Sequence, residues 1–197
     1  MEFRDDKLGN PKVMSIANPL VCAKCAAEGP TCCQLRPGDE DFCPPVSEPE
    51  RLRLGRITGL DTQEHLAMVP NSNRFLDNMT ILFPRDQGLV RDLYPRGGVH
   101  WRLKTGDDGR CVFLAHDGCR LPRQARPLYC RLFPFWMNGD QLQIFACPTC
   151  RVQREGDQAM IMLRKLGMSS ARLQDLFAML RREWGIDRTE RRSASCS

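Results

Sequence analysis

The chain has 197 residues, 42% of them hydrophobic, enough for one folded unit with its own apolar core and too much for a disordered chain. A net charge of +5 with a pI near 8.7 permits contact with anionic partners without demanding it. No run approaches the roughly 18 apolar residues that span a bilayer, and the opening Met-Glu-Phe-Arg-Asp-Asp-Lys carries charges where an export signal needs an apolar stretch. The expectation is a cytoplasmic protein with no membrane partner.

Residues 1–21 read as an irregular lead-in with Pro11 and Pro19. Residues 22–45 read as loop: Cys22, Cys25, Cys32 and Cys33, then Pro37, Gly38, Cys43, Pro44 and Pro45. Ser47 followed by Glu50 forms a capping box, and Leu52, Leu54, Ile57 and Leu60 continue a helix after it. Asp61 with Glu64 opens a short helix that Pro70 ends. Phe75, Leu76, Met79, Leu82 and Phe83 follow helical spacing up to Pro84.

Val99, Trp101 and Leu103 alternate with polar residues, 106–109 reads as a turn, and Cys111 to Leu114 returns as the second arm of a hairpin. A second hairpin centres on Asn138-Gly139, with arms Leu132 to Met137 and Gln141 to Ala146; Pro134 confines the first arm to an edge or a bulge. Beyond Cys150, Ala159, Met162, Leu163 and Leu166 share one helical face, begun by Asp157 and stopped by Gly167. Leu173, Leu176, Phe177, Leu180 and Trp184 share another, between Ser169 or Ser170 and Gly185. The expected fold class is α+β: an irregular cysteine-rich domain over 22–150, with short helices and two β-hairpins around a metal site. A helical hairpin over 151–185 packs on that domain or on a second copy, and a frayed tail spans 186–197, with Cys196 a bystander in it.

Eleven cysteines, ten of them before position 151, are the strongest chemical signal in the chain. A reducing cytosol disfavours stable disulfides. The odd total leaves one thiol over, and the cysteine fraction lies below the roughly 8–10% of small disulfide scaffolds. Metal ligation is the better reading. Cys22-x-x-Cys25 places two sulfurs on a tight turn where both reach one ion. Cys32-Cys33 adds two whose side chains diverge, suiting two metals or different corners of a cluster. Cys111, Cys119, Cys130 and Cys147 supply the second block, with Cys150 as a reserve ligand in a second CxxC. Cys43 reads as a small buried apolar residue. His116, between Cys111 and Cys119, reads as an exposed turn residue rather than a ligand, and His65 and His100 have no partner in the sequence.

In this order the motifs resemble the bacterial cysteine-cluster family of zinc- or iron-chelating domains, the YkgJ-type proteins. The resemblance covers roughly residues 20–150. It rests on Cys22, Cys25, Cys32 and Cys33; on Gly109-Arg110-Cys111-Val112-Phe113-Leu114; on Gly118-Cys119-Arg120; on Arg126-Pro127-Leu128-Tyr129-Cys130-Arg131-Leu132-Phe133; and on Cys147. The chain departs from the family in spacing Cys25 and Cys32 by six residues instead of two, in carrying Leu121 where the family often has an aliphatic-tyrosine pair, and in Cys43 and Cys150, which lie outside the pattern. The resemblance implies metal binding by Cys22, Cys25, Cys32, Cys33, Cys111, Cys119, Cys130 and Cys147.

The cofactor is an iron–sulfur cluster, 4Fe–4S by preference, or zinc, since both accept four thiolates. Arg126 and Arg131 belong to a stretch from Arg120 to Arg131 without an acidic residue, whose charge offsets that of bound thiolates. Phe113, Tyr129, Phe133, Phe135 and Trp136 are positioned to limit water access. The leading function is a metal-binding protein with a structural, metal-handling or electron-transferring role. Two other classes stay open. Some proteins with this motif resemble flagellin lysine N-methylases, which use S-adenosylmethionine, although no nucleotide-binding loop, GxSxG or HExxH is present. The third is a zinc-stabilised interaction module whose C-terminal helices dock a protein. No aromatic–basic interleaving of the RNA-reading kind occurs, so nucleic acid is not expected as a partner.

Overall fold

The computed structural model describes residues 3–6, 21–59 and 62–187. The expectations for 7–20, for Leu60 and Asp61, and for the tail from 188 with Cys196 lie outside the described residues. In chain order the elements are β1 (Phe3–Asp6), α1 (Val21–Glu28), α2 (Glu48–Thr58), α3 (Thr62–His65), β2 (Leu66–Pro70), α4 (Asn73–Leu82), α5 (Gln87–Leu93) and β3 (Val99–Leu103). There follow β4 (Leu114–Ala115), β5 (Gly118–Cys119), α6 (Leu128–Leu132), β6 (Phe135–Asn138), β7 (Gln141–Phe145), α7 (Arg151–Arg154), α8 (Ala159–Lys165) and α9 (Ser170–Glu183). Helices and small antiparallel sheets mix along the chain, so the class is α+β.

Several elements form where local chemistry dictates. Ser47 and Glu50 make the reciprocal capping box of α2, which ends at Gly59 in the left-handed region, φ 65°. Ser72 caps α4 and Ser169 caps α9 through their side-chain oxygens. β6 and β7 pair with Asn138 opposite Gln141, and Gly139 takes φ 62° in the two-residue connection. Pro134 precedes β6, which lies at one edge of the order β1-β7-β6.

Four expectations are corrected. Residues 3–6, expected to be irregular, pair with β7. The segment 21–28, expected as loop, is helical; its Val-Cys-Ala-Lys-Cys-Ala-Ala-Glu holds no glycine or proline and three alanines, and the punctuation begins only at Gly29-Pro30. Residues 66–70 are a strand rather than helix, because Pro70 closes an edge strand where its missing N–H breaks no ladder. β3 therefore pairs with β2, and Cys111 to Leu114 is not its hairpin arm. Of that pairing there remain a bridge from Thr105 to Cys111, a bond from the Val112 N–H to the Lys104 carbonyl and one from the Gly106 N–H to the Arg110 carbonyl, while β4 and β5 form their own small hairpin.

Two apolar clusters result. The larger runs from Val21 to Ile186 and holds Phe83, Trp136, Phe177 and Trp184 in mutual ring contact, with the Trp136 Nε1–H donating to the Leu82 carbonyl at 2.8 Å. The C-terminal helices share this cluster with the cysteine-bearing segment, α9 packing on α6 and β6. Ile186, expected in the frayed tail, is buried in it. The smaller cluster joins Val46, Leu54, Leu66, Leu103, Phe113, Leu121 and Ala125, with Cys111 and Cys119 packed against it.

Glu50 ties the helices together. Its side chain is 1% exposed and accepts from the Ser47 N–H (2.8 Å), the Ser47 hydroxyl (2.7 Å), the Leu128 N–H (2.6 Å) and the Trp184 Nε1–H (3.0 Å). One carboxylate thus satisfies the starts of α2 and α6 and the end of α9. Substituting Glu50→Ala strands at least two buried donors. It should lower the free energy of unfolding by about 4 kcal/mol, read by chemical denaturation, with Glu50→Gln losing less.

His100 is also buried, stacked on the Phe75 ring at 3.7 Å with Nδ1 2.9 Å from Asn71 Oδ1. Burial first, then Arg102, against an opposing pull from Asp41, hold its pKa down at about 4. The unfolded chain takes up that proton below about pH 6.5 and the folded chain does not, so stability rises with pH between 4 and 6.5. Acidification from pH 7 to 4.5 should cost on the order of 2 kcal/mol through this group. In His100→Gln that part of the fall in the urea midpoint should vanish.

Candidate metal centre

The thiols come from seven places in the fold. Cys22 and Cys25 stand three residues apart on α1, hence on neighbouring faces of one helix rather than on a turn. Cys32 and Cys33 follow in the loop after Gly29-Pro30. The Cys33 N–H donates to Thr31 Oγ1 at 3.1 Å and its carbonyl accepts from the Cys111 N–H at 3.0 Å. A second bond, Leu35 N–H to the Gly109 carbonyl at 3.0 Å, stitches 33–35 to 109–111. This short pairing brings the first and second cysteine blocks together across more than seventy residues of chain.

Cys119 ends β5, which lies against α1: a Cβ on Gly118 would stand 3.3 Å from Ala23 Cα. Cys130 lies on α6, whose start is held by Glu50. Cys147 and Cys150 occupy a tight turn closed by a bond from the Cys150 N–H to the Cys147 carbonyl at 2.9 Å. Gln153 braces that turn, accepting from the Cys147 N–H at 3.1 Å and donating to the Phe145 carbonyl at 2.7 Å, while Cys147 Sγ lies 3.3 Å from Thr149 Oγ1. None of the ten described cysteines is joined in a disulfide.

Electrostatics divide the thiols into two neighbourhoods. Burial pushes the Cys150 thiol up, and Cys147 and Cys25 add to it. The Cys32 thiol is pushed well up by its hydrogen bond to Cys33, then by burial, Cys33, Cys150 and Cys147. Cys25, Cys32 and Cys147 thus each lie within electrostatic reach of Cys150. Desolvation by the surrounding protein likewise raises Cys130, which feels Cys33, Cys111, Cys43 and Cys119, and raises Cys111 to about 12, with Cys33, Cys119 and Cys43 contributing, although Cys22, Cys32, Cys33 and Cys130 keep exposed surface. Cys22 is raised by burial and by Cys33 and Cys25, and Cys119 by burial and Cys33. The second neighbourhood therefore holds Cys33, Cys111, Cys119 and Cys130, flanked by Cys22 and Cys43. The adjacent pair Cys32-Cys33 divides between the two. Its shared hydrogen bond lowers Cys33 to about 7, and Arg126 adds to the effect.

Cys43 is the member that sequence reasoning set aside. It lies 3.9 Å from the Leu103 carbonyl, beside Cys111 and Cys130. Its isolation between proline-rich segments gave no signal, since only the pairing of β2 with β3 carries Leu103 to it. Tyr129 was counted among the flanking aromatics. Burial, with the surrounding Cys130, Cys43, Cys32 and Cys147, raises its hydroxyl far above its ordinary value, which places the ring between the two neighbourhoods.

Arg126 faces the thiols. It opposes the rise in Cys22 and Cys119, and donates from Nε to the Leu121 carbonyl at 3.0 Å and from Nη2 to the Cys119 carbonyl at 3.4 Å. Arg131 lies within electrostatic reach of Arg172, Arg53, Arg123 and Glu183. His116 is exposed, as its turn position implies, and His65 packs on the Phe113 ring at 4.8 Å. In the conformation described, no three His, Cys, Asp or Glu side chains among the described residues stand in a geometry that holds a metal ion.

The stitch between the two cysteine blocks depends on Gly109. A Cβ there would lie 1.9 Å from the Leu35 carbonyl oxygen, and φ is 76°. Gly97 has the same φ and open space around it. Gly97→Ala should therefore cost only the left-handed strain, about 1 kcal/mol. Gly109→Ala should cost at least about 3 kcal/mol and speed alkylation of Cys33 and Cys111; equal costs for the two would contradict the close approach. Compared with described families, with proteins of described function and with solved structures, the chain matches none.

Proposed function

We infer that this chain is a metal-thiolate protein, in which the two neighbourhoods hold an iron–sulfur cluster or zinc in a structural, metal-handling or electron-transferring role. The observation that carries this reading is the arrival of thiols from α1, the 31–35 loop, residue 111, β5, α6 and the 147–150 turn within electrostatic reach of one another. Protonated thiols gain little from such proximity. A bound cation changes the balance, because it deprotonates them and draws their charges together. The donor set is chemically uniform and soft, which suits zinc and iron–sulfur centres over magnesium or calcium. Arg126 would offset part of the negative charge of a four-thiolate centre, and Tyr129 with Phe133 and Phe145 would keep water from it.

In this reading Cys25, Cys32, Cys147 and Cys150 serve one centre. Cys33, Cys111, Cys119 and Cys130 serve the other, with Cys22 and Cys43 beside them. The resemblance to the YkgJ-type family, which rests on the ordered motif residues alone, points the same way. Position and length of the intervening loops fit as well: 29–46 and 104–123 carry little regular structure and pack on the smaller apolar cluster, so an ion would supply order that the core does not.

Protein purified without exposure to air should contain stoichiometric iron and sulfide with visible absorbance, or stoichiometric zinc without it. Cys32→Ser and Cys33→Ser should each remove part of the metal and leave the rest. Chelation should raise amide exchange in 29–46 and 104–123 before it does so in α9. A colourless, metal-free and monodisperse protein with full protection in those loops would reject the reading.

A further inference from the structure

The two groups of thiols are seated differently in the fold. Cys25 and Cys150 are 9% and 6% exposed, and Cys150 belongs to the larger apolar cluster, with Cys147 packed against it. Their two segments are tied to each other. α1 touches α7, and Glu28, one turn beyond Cys25, pairs with Arg151, which directly follows Cys150, and with Arg154 at 3.7 Å. The 147–150 turn is closed on itself, and Gln153 braces it through the Cys147 N–H and the Phe145 carbonyl. Cys25, Cys147 and Cys150 therefore ride on backbone that the core, an ion pair and a side-chain brace already hold. In this group Cys32 alone is exposed.

The other group lies at the margin of the fold. Cys22, Cys33 and Cys130 are exposed and Cys43, Cys111 and Cys119 half-buried. Cys111 and Cys119 pack against the smaller apolar cluster. Backbone contacts gather them: the Cys111 N–H donates to the Cys33 carbonyl, β5 with Cys119 lies on α1 beside Cys22, and Arg126 donates to the Cys119 carbonyl. The electrostatic neighbours of Cys111 and Cys130, Cys43 among them, agree with that placement. Six sulfurs are thus gathered where a tetrahedral cation takes four. Several hang from loop segments with little regular structure, the part of a fold that opens at least cost. Zinc admits a fifth ligand in passing, so an entering thiolate can displace a bound one wherever it has access. The open group offers that access and two spare sulfurs; the seated group offers little of either.

Resting on the metal-thiolate reading above, we propose that the two centres differ in kind. The group of Cys25 and Cys150 holds a resident centre, whereas the group of Cys33, Cys111 and Cys130 is an exchange site that takes up a divalent thiophilic cation and passes it to a thiol-bearing acceptor. Each sulfur–metal bond broken on this chain is replaced by one formed to the acceptor, whose thiol proton moves to the released cysteine. The ion keeps its charge and no electron is transferred. Cys22 and Cys43, in excess of the four ligands needed, hold the ion while the others let go.

The test uses the full chain, purified without air and loaded with zinc. Release is followed with the chromogenic chelator 4-(2-pyridylazo)resorcinol, with reduced glutathione as the entering thiol. One equivalent should leave faster than the remainder by about tenfold or more, the scale on which braced and unbraced ligands differ, and its rate should rise with glutathione. Cys111→Ser should abolish the fast equivalent and keep the slow one, and Cys150→Ser should do the reverse. Pulse alkylation of the unaltered chain reads the same order should either variant fail to fold: Cys33, Cys111 and Cys130 should be labelled with the fast phase, and Cys25 and Cys150 with the slow one. A single release rate for all bound zinc, or labelling in the opposite order, overturns the proposal and leaves the metal-thiolate reading standing. A chain that retains neither zinc nor iron from any preparation removes that reading, and the exchange site with it.

Discussion

The buried side chain of Glu50 is the constraint on which the arrangement of the chain depends. A carboxylate at 1% exposure is tolerable only because donors surround it, and here they come from three parts of the sequence: Ser47, Leu128 and Trp184. Each bond fixes a helix end. The start of α2, the start of α6 and the end of α9 cannot move independently without leaving a donor or an acceptor unpaired in an apolar setting. The Arg53–Glu183 pair repeats the connection between α2 and α9 a short distance away.

That junction explains how an irregular chain positions its thiols. α6 is only five residues long and would not persist alone. Held at its first N–H by Glu50 and packed along α9, it presents Cys130 to Cys33 and Cys111 on one side and Arg131 to Arg172 on another. The remaining thiols are placed by close backbone approach: α1 rests on β5 at Gly118, and 33–35 pairs with 109–111 at Gly109. A side chain at Gly109 would force the surfaces apart, and one at Gly118 would crowd Ala23. The acid-free stretch 120–131 serves two directions, with Arg126 and Arg123 both acting on Cys22 and Arg131 within electrostatic reach of Arg172 and Arg53.

Much of the local structure was legible because its causes are local. The Ser47–Glu50 capping box, the Ser169 cap, the Asn138-Gly139 hairpin and the apolar periodicity of α4, α8 and α9 are each decided by residues within one or two turns of each other. The errors fall where a local signal had two readings. Clustered cysteines next to proline suggested loop, whereas the alanines of 21–28 were enough for helix. Pro70 suggested a helix stop and instead closes an edge strand, and that change sent β3 to β2 and released Cys111 from its expected hairpin.

The sequence by itself determined that this is an α+β chain with thiols in two blocks and an arginine-rich segment without acids, because composition, spacing and capping are properties of neighbours. Only the tertiary structure decided which thiols lie near which, that Cys43 lies beside Cys111 and Cys130, and that Glu50 reaches from α2 to α6. The physical reason is the same throughout: an unpaired buried polar group and a backbone contact at van der Waals range are satisfied by whatever the fold brings near, and the chain order of the residues carries no record of that partner.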